Sequence, residues 1–118
     1  MDNFVNAGET LEITAGGAIS AGDIVVQGDV LGVAFEDIAN TEKGNLAISG
    51  VYRLPKNTST AIANGEYVDY DLSADEVTTG ITPASGDVVD FGIAMEVGGT
   101  SDPRINVRLL TGHGVVEP

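Results

Sequence analysis

The side chains able to do chemistry are few, and most lack the company that the chemistry needs. The single histidine, His113, stands in Thr111-Gly112-His113-Gly114 near the end of the chain. A catalytic imidazole is held by a second group that orients it. Two flanking glycines offer no such support, so a solvated tail residue is expected. The densest acidic group is Asp69, Asp71, Asp75 and Glu76, where oxygen ligands at alternate positions are of the kind that bind calcium. Asp71-Leu72-Ser73-Ala74-Asp75 has no glycine at the sharp turn of a full calcium loop, which favours a solvated acidic edge. Any two of the 18 carboxylates could in principle pair for glycoside chemistry. The aromatic platforms that usually accompany such sites are scarce, with no Trp, 3 Tyr and 3 Phe.

Three further motifs fall away on spacing or inventory. Gly16-Gly17 and Gly98-Gly99 are followed by no Lys-Ser or Lys-Thr and open no helix, so they read as turns, not phosphate loops. Ser49 in Ile48-Ser49-Gly50 sits within an alternating pattern, where a serine nucleophile needs a strand-to-helix elbow. The chain has 0 Cys, which removes disulfides, thiolate nucleophiles and cysteine-ligated zinc. The expectation is a protein that is not an enzyme and takes no cofactor or metal.

The elements that would position any site are short strands. The 118 residues suit one domain, and 16 glycines spread along them interrupt every helical period. Phe91, Ile93, Met95 and Val97 alternate with Gly92, Ala94 and Glu96, which predicts a strand with those large residues on one face. The same period fits Leu46, Ile48, Tyr52 and Leu54 opposite Ser49 and Arg53, and Ile105, Val107 and Leu109 opposite Arg104, Asn106 and Arg108. Weaker strands are expected at Thr10–Thr14, Asp23–Gln27, Val30–Glu36, Glu66–Leu72 and Glu76–Thr79, with Val88 running into the Phe91 strand. Turn chemistry at Ser20-Ala21-Gly22-Asp23, Gln27-Gly28-Asp29, Asn64-Gly65 and Ser85-Gly86-Asp87 separates them. Phe35–Lys43 and Ser59–Asn64 lack a full apolar stripe and read as loops. The fold expected is all-β, a small single-domain sandwich or barrel-like fold.

An internal pseudo-repeat is visible. Leu31-Gly32-Val33-Ala34-Phe35-Glu36 returns as Phe91-Gly92-Ile93-Ala94-Met95-Glu96. Each copy follows a glycine-opened strand, Gly22-Asp23-Ile24-Val25-Val26 or Gly65-Glu66-Tyr67-Val68-Asp69, and precedes an alternating one. The second copy carries an insertion at Ser73 to Asp87. Ahead of the first strand an extended N-terminal arm is expected, giving residues 1–9 as arm, 10–111 as β domain and 112–118 as C-terminal tail.

Lys plus Arg number 5 against 18 Asp plus Glu, a net charge of -13. That balance repels phosphate backbones and anionic lipid surfaces, so neither nucleic acid nor membrane is an expected partner. Met1–Thr10 carries Asp2 and Glu9 and no basic or long apolar region, so no secretory leader is expected, and no run is long enough to span a bilayer.

Several segments in order, Asn3-Phe4-Val5, Gly8-Glu9-Thr10-Leu11, Ser20-Ala21-Gly22-Asp23, Gly32-Val33-Ala34 and above all Gly50-Val51-Tyr52-Arg53-Leu54-Pro55-Lys56, carry a family likeness. It continues through Asn64-Gly65-Glu66-Tyr67-Val68-Asp69-Tyr70-Asp71, Val77-Thr78-Thr79, Gly92-Ile93-Ala94 and Val107-Arg108-Leu109. The chain thereby resembles the small tailed-phage head proteins described as capsid cement or decoration proteins. It departs from them at Tyr70-Asp71, where members often show an aromatic such as Trp, and in Thr111–Pro118, which runs past their usual end. The resemblance implies a non-enzymatic virion protein that binds the major capsid protein on the outer surface of the assembled capsid, as a homotrimer, and stabilises the shell. Candidate coat or inter-protomer contacts are Phe4, Val5 and Leu11 on the arm, and Arg53 and Lys56 in the most family-like segment. For the two cations the competing reading is an ion pair with the chain's own carboxylates. Two other functions stay open at this point: another virion subunit, such as a head fibre base or tail component, and a small carbohydrate- or ligand-binding module using the Tyr67 and Tyr70 strand.

Overall fold

A computed structural model describes residues 8–118. Its strands, in chain order, are β1 (Thr10–Thr14), β2 (Ile24–Gln27), β3 (Val30–Ala34), β4 (Lys43–Ala47), β5 (Val51–Pro55), β6 (Tyr67–Asp71), β7 (Glu76–Thr78), β8 (Val88–Ala94), β9 (Arg104–Leu109) and β10 (Val115–Val116). The chain is all-β, in two antiparallel sheets. The first has the order β1-β4-β3-β2, the second β5-β9-β8-β6-β7 with β10 beside β8. A parallel bridge from Lys56 to Val77 brings β7 back beside the end of β5, so the second sheet curls almost into a barrel.

The two sheets are copies of one plan. The register Leu11↔Leu46 between β1 and β4 returns as Tyr52↔Val107 between β5 and β9. Ile24↔Val33 and Val25↔Gly32 return as Tyr67↔Ile93 and Val68↔Gly92. The loops repeat as well. The Gly22 N–H donates to the Ala34 carbonyl and that of Gly65 to Ala94, while Ile19 and Ile38 exchange two backbone bonds just as Ile62 and Gly98 do. Asp23 accepts from the Ser20 N–H, and Glu66 from the Ala63 N–H. The repeat legible in six residues thus runs from Glu9–Ile48 to Gly50–Leu109, with β7 and the turns that join it to β6 and β8 as the inserted part.

Each half solves its packing differently. One face of the first sheet, with Leu31 and Val33 buried and Ile24 and Val26 beside them, joins the core inside the curl, which holds Leu54, Ile62, Val68, Tyr70, Val77, Ala94, Ile105 and Val107. Its other face is closed by its own loops around Ile13, Ala15, Ala34, Ile38 and Leu46. There Ile38 lies over Gly44, where an added Cβ would come within 2.5 Å of it. At the matching place in the second half the sizes are exchanged: Gly98 lies under Ile105 and the Lys56 stem, each 2.8 Å from where a Cβ would be.

The structure corrects three sequence expectations. The alternating run Leu46 to Leu54 is not one strand; it breaks at Ser49-Gly50, where Gly50 has φ 103° and the chain passes from the first sheet to the second. The strand at Phe91 ends at Ala94, short of Val97, and Phe91 does not share the exposure of Ile93 and Met95: Phe91, Gly92 and Ala94 are buried, whereas Ile93 is half-buried and Met95 exposed. Only small residues fit inside there, because a Cβ on Gly92 would stand 2.6 Å from Val107. The C-terminal segment is not a free tail. β10 pairs with β8, and the Glu117 backbone exchanges bonds with Gly86 and Asp87.

Candidate functional site

The residues singled out from the sequence do not converge. Phe4 and Val5 lie outside the described residues. Leu11 is half-buried, packed against the cluster around Ile13 and Leu46. Lys56 is only 2% exposed, and its ammonium donates to the carbonyls of Asn57 at 2.7 Å and Gly99 at 2.8 Å, and to that of Thr60. All three N–H donors of the amine are thus engaged inside the chain by backbone oxygens instead of the carboxylates expected as its competing partners. The alternation Tyr52, Leu54, Lys56, continuing the inward face of β5, is the signal that could have placed it there. Arg53 is exposed and stands 3.8 Å from Glu96, the one ion pair among the described residues.

The acidic group at 69–76 is dispersed into structural tasks. Asp69 is buried and accepts from the Asp90 N–H at 2.8 Å and the Ile81 N–H at 3.4 Å. It thereby fixes an irregularity where β8 bulges against β6 and Asp90 adopts φ 55°. Asp71 caps the turn at Ser73 and Ala74, Asp75 accepts from the Tyr70 hydroxyl at 2.6 Å, and Glu76 accepts from the Asn57 amide at 2.9 Å. His113 is not loose. Its ring stacks on Tyr67 with centroids 4.8 Å apart, and Nδ1 lies 3.1 Å from the Asp90 carbonyl oxygen.

Tyr70 is buried edge-on to Phe91, so it offers no ligand platform beside the exposed Tyr67. Burial, and then the hydrogen bond to Asp75 and the negative charges of Asp75, Asp23 and Asp71, push its hydroxyl well above the ordinary phenol range. A raised folded-state value means that Tyr70 contributes stability that is complete below pH 10.0, the ordinary phenol value, and lost as pH rises above it. Tyrosinate absorbance should therefore contain one step that coincides with alkaline unfolding. Tyr70→Phe should abolish that step and flatten the fall of stability above pH 10.0, as read by denaturant melts across the alkaline range.

What the structure does assemble was missed at the level of sequence. The outer face of the curled sheet carries a row of cross-strand neighbours, Val51, Arg108, Ile93 and Tyr67, drawn from β5, β9, β8 and β6. Beside it lies a second row of Arg53, Asn106 and Met95, in which the Met95 N–H donates to the Asn106 carbonyl. Val51 is 50% exposed, Tyr67 49% and Met95 47%. Arg108 is exposed with no ion-pair partner among the described residues. The signal was in the alternation of Ile93 and Met95, which marks a shared face without saying that it is the outer one.

Such a surface has the make-up of a protein contact, apolar side chains flanked by arginines, and no arrangement of nucleophile and oriented base. No curated protein and no solved structure matches the chain. The family model described as phage cement protein does match, over residues 5–109. That span takes in both copies of the duplicated unit and stops just before the segment that carries His113 and β10. On this match the chain belongs to the phage cement protein family.

Proposed function

We propose that this cement protein binds the outer surface of the assembled phage head as a trimer and bridges neighbouring coat subunits, so that separating them also requires losing the cement interface. The observation that carries this reading is the family match across the whole duplicated body, residues 5–109. Two features support it. A net charge of -13 suits an exterior position, away from packaged DNA. The carboxylates of the densest acidic group are spent on turns, a bulge and buried hydroxyl and amide partners, which fits a structural role without catalysis.

An interface of standard size buries roughly 1,600 Å² in total, and area of that order is compatible with affinities from micromolar to picomolar. Contact with more than one coat subunit adds avidity. The segment from Met1 to Glu9, with Phe4 and Val5, supplies a second point of attachment, and Leu11 holds its root against the first sheet.

The test uses heads isolated without this protein from the phage that encodes it. Purified chain should co-sediment with them and raise their disruption temperature, and a chain lacking Met1 to Glu9 should bind measurably less while its own melting transition persists. Failure of the full chain to bind heads, or its location on tails in labelled particles, overturns the reading.

A further inference from the structure

We infer that the outer face of β5, β9, β8 and β6 is the surface that seats on the coat, and that it meets a coat patch bearing carboxylates around an apolar centre. The inference rests on the cement reading and names the surface and partner chemistry within it. The starting observation is that β8 keeps Gly92 and Ala94 inside, while Ile93 is half-buried on its other side and Met95, just past its end, is exposed. Placing large apolar groups in water is unfavourable in proportion to their area, and here Val51, Tyr67 and Met95 do so around a half-buried Ile93.

The duplication shows what such a face does when it has a partner. In the first half the matching positions of Tyr67, Ile93 and Arg108 are Ile24, Val33 and Ala47. Val33 is buried in the core of the curled sheet with Ile24 packed beside it, and Ala47 is buried too. One copy of the face is therefore closed within the molecule; its twin is open. The twin also differs in charge, since Glu12 in the first half becomes Arg53 and Ala47 becomes Arg108.

Charge selects the occupant. Of the 5 basic residues, Lys56 is buried, Lys43 lies on the first sheet, and Arg104 lines a hollow beside Asp23 and Asp75. Arg53 and Arg108 are left on this face. The carboxylate that shares it, Glu96, is held by Arg53 and by the Asn106 N–H at 3.1 Å. With 18 acidic residues on the chain, an anionic partner is repelled from most directions and can approach here. A second copy fits poorly. Face-to-face pairing would set the arginines of both copies against each other, and of the other exposed large apolar groups Phe35 is in a bend, Leu72 in a turn and Val115 on β10.

The experiment measures binding to the same cement-free heads by co-sedimentation. Arg53→Glu with Arg108→Glu, and separately Met95→Asp, should each weaken binding about tenfold or more. Phe35→Asp, at the position matching Met95 in the first half and 53% exposed, should stay within about threefold of wild type. All four substitutions are at exposed sites, and thermal melts confirm folding. Binding of the wild type should also weaken as salt is raised, and that of the charge-reversed variant should weaken less. If the charge-reversed and Met95→Asp variants bind like wild type while removal of Met1 to Glu9 abolishes binding, the face is not the docking surface and the cement reading stands. If the wild type does not bind heads, both fall. If sedimentation velocity shows free wild-type oligomers that Arg108→Glu dissolves, the face belongs to a second copy and the inference is overturned.

Discussion

Lys56→Met should destabilise the chain by about 2–4 kcal/mol and lower its melting temperature by on the order of 10 °C. The variant keeps most of the stem's volume above Gly98, so little of the loss comes from a cavity. It comes from the half-buried carbonyls of Asn57, Thr60 and Gly99, which lose a charged donor held by three bonds at once. Replacing a buried ion and its partners together by apolar groups can be neutral, but here the partners are backbone and remain. Lys56→Ala should cost more, about 3–5 kcal/mol, because it also empties the space beside Ile105. The ammonium joins β5 to the Asn57–Thr60 turn and to the β8–β9 connection at Gly99. Its loss should therefore loosen the place where the curl closes, and amide exchange at Ile62 and Gly98 should accelerate before global unfolding. Chemical denaturation of both variants checks the sizes; a loss below 1 kcal/mol for Lys56→Met would show that the three carbonyls find other donors.

Gly92→Ala is the second large effect, and its sign opposes ordinary strand preference, since alanine normally improves on glycine within a regular element. The added Cβ would lie 2.6 Å from a Val107 methyl and 2.8 Å from the Arg108 carbonyl oxygen. A side chain can swing aside, but the oxygen belongs to the ladder between β8 and β9, and moving it parts the two strands. A cost of about 2–3 kcal/mol is expected, at the upper end for overpacking. The matching Gly32→Ala in the first half should cost less, because its nearest backbone atom, the Ala47 oxygen, is 3.1 Å away. Gly16→Ala, with nothing within 4 Å, serves as the control and should change stability by no more than about 0.5 kcal/mol. Urea melts of the three proteins should preserve that order.

The duplication was detectable in the sequence because the glycine at its centre has a steric cause. Gly32 and Gly92 each sit against the neighbouring strand, and only glycine fits, so the pattern around them survived in both copies. The remaining strand pairs diverged, since a position facing the first sheet's own loops and one facing the inside of a curl favour different sizes. Ile38 answers to Gly98 and Ala15 to Lys56, and no residue-by-residue likeness reveals that exchange. The candidate site was less legible. Arg53 was noticed as a cation in a family-like segment, whereas Arg108, Met95 and Tyr67 are far apart in the chain and meet only through the pairing of four strands.

Composition and periodicity alone established an all-β chain, its acidic character, its turn positions and its repeated unit, because these depend on residues within a few places of one another. Which side of β8 faces water, where the Lys56 amine is held, and how His113 comes to rest on Tyr67 were decided by tertiary structure. The physical reason is that alternation marks two faces of a strand without saying which is inside. That choice follows from how tightly the neighbouring strand approaches, and the neighbour is set by the whole fold.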